Sequence, residues 1–223
     1  MRRVRILAGL LLCASSALAA PFAVQVGDAR LALDAPPGFA DVQDTGSPRL
    51  LELAESLTSA SNRILLFALE DADVRRFSLG DSLELRRYVI VVTPKNLESA
   101  RVTLAAFHAL AADSLRELGP PAPASTDARQ YLDAQPRGRP GLLAELRKDH
   151  DVIAVLQGTR LPDAPRSRDA PPRYLLSTMA LMLARGKALN LAIYTSYGGE
   201  ADLEWIRGTT LRWIDELQRL NLR

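Results

Sequence analysis

The chain has 223 residues, 28 basic against 26 acidic, and 48% of it is apolar. That is long enough to fill one well-packed domain and too balanced in charge to present the clustered positive surface a nucleic-acid binder needs. A single cysteine, Cys13, excludes a disulfide framework and a multi-cysteine metal site.

The start of the chain carries an address. Arg2, Arg3 and Arg5 precede an apolar run over 6–12, and small residues follow, ending in Ala17-Leu18-Ala19. A charged start, a short apolar centre and a small-x-small ending are the marks of a secretory signal peptide. The run is shorter than the ~20 residues of a membrane span. The expectation is a leader over 1–19 that is removed, leaving a mature domain over 20–223 in the bacterial periplasm or outside the cell. Cys13 fits an acylation site less well, because Leu12 stands where a small residue is expected before it. Loss of the leader takes three arginines and no acid, leaving 25 basic against 26 acidic residues, net −1. The mature part then holds no thiol.

Two short strands are predicted over 22–26 and 29–33, joined by Gly27-Asp28 as a tight hairpin turn. Pro36-Pro37-Gly38 forces a further turn. Ser47-Pro48 opens a helix, with Ser47 at the cap and Pro48 at the first position; Leu50, Leu53, Ala54 and Leu57 share one face. The nearly continuous apolar runs over 63–69 and 85–93 predict strands of a sheet covered on both sides. A long helix is expected over 97–118, with Leu104, Phe107, Ala111, Leu115 and Leu118 as its core stripe and Gly119 ending it. Prolines at 120, 121, 123, 136 and 140 mark a loop over 119–140, and a second proline-rich loop is expected over 162–172. Between them lies a strand over 152–156. Residues 174–184 and 187–197 read as a long hairpin across Arg185-Gly186. The closing helix carries Leu203, Ile206, Thr210, Trp213, Leu217 and Leu220 in one stripe, with Glu200, Asp202 and Glu204 in its first turn.

This order predicts an α/β fold of the α+β type: one domain with a mainly antiparallel sheet sandwiched by helices. Two stretches also carry a resemblance. The early hairpin ending in Pro36-Pro37-Gly38-Phe39 resembles the start of Mog1/PsbP-like domains. So does the closing unit of long hairpin, Ser196-Tyr197, polar turn and a helix with Trp205 and Trp213. The resemblance implies an antiparallel sheet between helices and a binding or assembly role, as for exported bacterial members without assigned activity. It transfers no functional residue to any position of this chain.

Chemistry-bearing motifs are sparse. Gly-x-Ser-x-Gly, Ser-x-x-Lys and a Gly-rich phosphate loop are all missing from the sequence. His108 falls on the long helix and reads as the margin of its core stripe, since a general base needs a partner. Asp149, His150 and Asp151 are the weak candidates for a metal site, offering oxygen and nitrogen ligands to a divalent ion. Consecutive residues diverge on a strand, however, so a solvated charged turn is the plainer reading. Gly198-Gly199 precedes the last helix, but Glu200 and Asp202 already occupy its positive end and repel an anion. Arg86 and Arg87 point to opposite sides of their strand and have Glu84, Glu70 and Asp71 for ion pairs. Trp205 lies off the Trp213 stripe, either packed at the helix margin or exposed as a partner anchor.

The expectation is therefore a non-catalytic exported binding or assembly module, using its two proline-rich loops and no cofactor. Its partner would be another exported or envelope protein, with no nucleic acid and no membrane insertion once the leader is removed. Two alternatives stand beside it: a metal-dependent or other hydrolase built on Asp149, His150 and Asp151, and a carrier of a small apolar ligand held between sheet and helix.

Overall fold

The computed structural model describes residues 21–123, 126–163 and 171–222. The expected leader with Cys13, and the middle of the 162–172 loop, lie outside them.

Among the described residues, nine strands and five α-helices follow in chain order. The first hairpin pairs β1 (Phe22–Val26) with β2 (Ala29–Leu33). Gly27 takes φ 57°, and a Cβ there would lie 2.1 Å from the Glu98 carbonyl oxygen, so only glycine fits this turn. After the Pro36-Pro37 turn come β3 (Phe39–Asp41), a short 3₁₀ turn (Val42–Thr45) and α1 (Pro48–Ser56). Ser47 precedes α1 as expected, but its hydroxyl makes no cap; its backbone carbonyl accepts from the Leu50 and Leu51 amides instead. Strand β4 (Asn62–Glu70) and strand β5 (Arg87–Pro94) flank a short helix, α2 (Asp71–Ser78), that the sequence reading did not foresee. Residues 65–69 and 88–92 are buried without a break, as strands covered on both faces must be.

The long helix α3 spans Leu104–Leu118, not 97–118. Residues 98–102 are captured by tertiary bonds: Lys187 Nζ donates to the Glu98 and Ala100 carbonyls, both at 2.9 Å, and the Val102 amide donates to the Gly186 carbonyl at 2.8 Å. Carbonyls held this way are lost to a helix, and Thr103 caps the Ala106 amide where the helix does begin. Of the expected stripe only Phe107 and Ala111 are buried; Leu104 is exposed. Gly119 ends the helix with φ 76°. The stretch over 119–140 is not all loop. It holds α4 (Ala128–Ala134), capped by the Asp127 carboxylate on the Arg129 and Gln130 amides. Its prolines lie outside that helix, so the exclusion of proline from helix interiors holds. Strand β6 (Pro140–Lys148) was also not foreseen, and β7 (Val152–Arg160) runs beyond the expected 152–156. Strands β8 (Tyr174–Ala184) and β9 (Lys187–Ser196) form the predicted long hairpin, with Arg185 at φ 51° and Gly186 at φ 78°. Positive φ at both positions matches the right-handed twist of the flanking strands. Helix α5 (Glu200–Asn221) closes the described chain.

Strands β3 to β9 form one fully antiparallel sheet in the order β3-β4-β5-β9-β8-β7-β6. The fold is thus the α/β sandwich expected. One face carries α5 and the β1–β2 hairpin over a core that includes Leu66, Val89, Leu156, Leu176, Ile206 and Trp213. The other carries α1 and α2 over a second core around Phe67, Tyr88, Ile90 and Ala192. Strand β8 alternates strictly between buried and half-buried residues, its even positions facing α5. There Thr210 of α5 donates to the Thr178 hydroxyl, which also accepts from the Ile193 amide, so both buried hydroxyls are bonded.

Candidate functional site

The Asp149-His150-Asp151 segment lies in the turn from β6 to β7. Its side chains are drawn to separate partners. Asp149 is 3.6 Å from Arg147, which also pairs with Asp215 at 2.7 Å. Asp151 accepts from the Gln218 amide at 3.3 Å and stands 3.6 Å from His150 Nδ1. The His150 side chain is 76% exposed. His108 is exposed on α3 and contacts the same turn: its Nε2 lies 2.8 Å from the His150 carbonyl oxygen, which assigns the hydrogen to Nε2. That contact with a backbone carbonyl fixes a histidine, but supplies no nucleophile. Among the described residues, no three His, Cys, Asp or Glu side chains are arranged to hold a metal ion.

The remaining motif residues have structural partners. Asp202 takes the Gly198 amide at 2.9 Å, so the start of α5 is occupied by its own carboxylate. Arg86 pairs with Glu84, while Arg87 lies 3.4 Å from Glu70 and 3.5 Å from Asp202. Trp205 is half-buried. The Arg87 guanidinium sits 4.0 Å above its ring, and Phe39 lies 6.3 Å away, centroid to centroid.

The best-formed site is a cleft of about 610 Å³ between α5 and the chain around the Pro36-Pro37 turn. One wall is made by Pro21, Asp34, Ala35, Pro36, Pro37 and Phe39. The other is a face of α5, from Trp205 through Thr209, Arg212, Trp213 and Glu216 to Arg219. Both tryptophans of the chain therefore line it. The Trp213 indole N–H donates to the Asp34 backbone carbonyl at 2.8 Å and ties the walls together.

The charges in this cleft are unequally matched. Glu216 pairs with Arg219, and that hydrogen bond holds the Glu216 carboxyl below its usual range. Asp34 is the reverse: loss of solvent pushes its carboxyl up, partly offset by a hydrogen bond from the Ala35 backbone, with the Glu216 charge adding a smaller upward push. Asp34 Oδ1 is buried without a hydrogen-bond partner. Arg212 reaches only the Thr209 hydroxyl, at 3.4 Å, and pairs with no acid among the described residues. A wider groove of about 740 Å³ lies between α1 and β4; there Ser59 bonds to Ser61, Asn62 to Thr58 and Lys95 to the Ala60 carbonyl, and among the described residues no buried side-chain polar atom of the groove lacks a partner. An unmet buried acceptor within aromatic walls marks a recognition site more strongly than a self-satisfied surface.

Sequence reasoning placed the binding surface on the proline-rich loops over 119–140 and 162–172, and missed this cleft. The signal was present in the last helix: 205, 209, 212, 216 and 219 recur at spacings of three and four beside the core stripe.

No helix among the described residues is long and apolar enough to cross a membrane. No family model and no curated protein matches the chain. Among solved structures it is similar to a mutant of protein Mog1, at 12% identity and TM-score 0.38, over 92% of this chain and 94% of that one. It is likewise similar to the Saccharomyces cerevisiae Ran-binding protein Mog1p, at 12% identity and TM-score 0.39 over the same shares. The Mog1-like resemblance read from the sequence has its counterpart in these structures, while the architecture itself rests on the strand order given above.

Proposed function

We propose that the protein is an exported, non-catalytic binding module whose site is the cleft between α5 and the Pro36-Pro37 turn. The leader over 1–19 directs it out of the cytoplasm and is removed; the domain over 20–223 acts in the periplasm or beyond. Export is supported by the charged, apolar and small-residue order of the first nineteen positions. Binding is supported by one observation above the rest: an aromatic and proline-lined cleft whose buried Asp34 oxygen has no partner. Its volume lies within the ~300–1,000 Å³ typical of ligand sites.

Two measurements test the two halves. Sequencing the native polypeptide from the soluble exported fraction is expected to begin at Ala20; Met1 still attached, or a lipid on Cys13, overturns the export half. For the binding half, a small-molecule extract of that fraction is expected to shift the tryptophan emission of the purified domain. An extract that leaves the emission unchanged overturns it.

A further inference from the structure

Resting on the reading of the cleft as the binding site, we propose that its ligand is a small zwitterion with an apolar body, an apolar amino acid or a very short apolar peptide. The inference follows from which charges in the cleft are already answered. Glu216 and Arg219 neutralise each other. That leaves one acid and one base without an ion-pair partner among the described residues, Asp34 and Arg212. They line the same cleft yet form no pair with each other.

Each asks for a different end of a ligand. The Asp34 carboxylate lines the cleft with no cationic partner among the described residues, and an ammonium supplies the counter-charge it lacks. An ammonium there also relieves the repulsion between Asp34 and Glu216. Arg212 spends one weak contact on Thr209 and keeps the rest of its planar fork, which suits the two oxygens of a carboxylate. Arg212 is exposed, so a simple cation would engage Asp34 alone and a simple anion Arg212 alone, whereas a zwitterion engages both. The same cleft offers the exposed Pro37 and the half-buried Trp205 ring as apolar surface for a side chain.

The two tryptophans report on the cleft directly, because the chain has no others. The native domain is titrated with four probes sharing one phenyl body: L-phenylalanine, the dipeptide leucyl-phenylalanine, phenethylamine and 3-phenylpropionate. Phenylalanine chromophores are transparent where tryptophan is excited, so emission reads the protein alone. At least one of the two zwitterions is expected to bind saturably and about tenfold or more tighter than either single-charge analogue. Which of them binds tighter separates an amino acid from a short peptide. Asp34→Asn is expected to weaken the amine-bearing probes about tenfold, and Arg212→Met the carboxylate-bearing ones by a similar factor. Melting curves of both variants confirm that they are folded.

Single-charge analogues that bind as tightly as the zwitterions overturn the inference while leaving the cleft standing as a binding site, since its emission still responds. Variants that bind every probe like the native domain overturn it as well. Silence from all four probes overturns the ligand class, and the cleft is then judged by the extract titration alone.

Discussion

Lys187 is an ammonium with only 1% of its side chain exposed, and three oxygens surround it: the Glu98 and Ala100 carbonyls and the Asp28 carboxylate at 2.7 Å. It pins the tip of the first hairpin and the segment before α3 to the start of β9. Replacing it with methionine orphans two carbonyls, and Lys187→Met is expected to cost about 2–4 kcal/mol in urea unfolding. Nothing in the sequence announced this, because backbone carbonyls carry no residue signature. Two carboxylates should shape the acid limb of stability in opposite directions. The hydrogen bond from Lys187 holds the Asp28 carboxyl below its usual range. Its contribution is therefore complete above ~3.9, the unfolded value, and lost as pH falls through the folded one. Asp34, raised by desolvation, does the reverse: the fold favours its protonated form, and that preference fades as pH rises through the raised value. Melting temperatures against pH are expected to show Asp28→Asn with a flatter acid limb than the native domain. They are expected to show Asp34→Asn more stable than native at neutral pH, the two converging below ~3.9.

Helix α5 was the element most legible in advance, since Leu203, Ile206, Thr210, Trp213 and Leu217 are all buried where the stripe put them. Its end does something periodicity cannot express. Asn221 Nδ2 donates to the Ala32 carbonyl at 2.8 Å while its Oδ1 accepts from the Ala32 amide at 3.0 Å. The side chain thus mimics a neighbouring strand for one residue of β2. Asn221→Ala is expected to cost about 1–3 kcal/mol and to speed amide exchange at Ala32 above all other β2 positions. Elements read correctly were those with long periodic or continuously apolar patterns, such as β4, β8 and α5. Those overlooked were short or irregular. Strand β3 has three residues and α4 has seven. Strand β6 breaks its register twice, around Leu143 and Leu146, which erases the alternation a strand is recognised by. The candidate site was harder still, because its walls come from segments some 170 positions apart, as the Trp213–Asp34 bond shows with a separation of 179.

The seven-stranded sheet ends on β3, which is very short, and on β6, which is bulged. Both devices keep an open edge from pairing with another molecule. Deleting Leu143 and Leu146 would restore a flat edge, and that variant is expected to self-associate with rising concentration in sedimentation velocity, where the native domain gives a concentration-independent boundary. The layered architecture itself followed from element order, whereas the folding of the N-terminal hairpin onto the last helix did not, because no local pattern encodes a contact of that span. That contact has a consequence for when the protein folds. Ala32 and Asn221 are 189 positions apart, so the hairpin is not sealed onto α5 until Asn221 itself has been made and has left the ribosome. Under the export proposed above, this lateness would leave the chain loose enough to pass a secretion channel and lock on the other side.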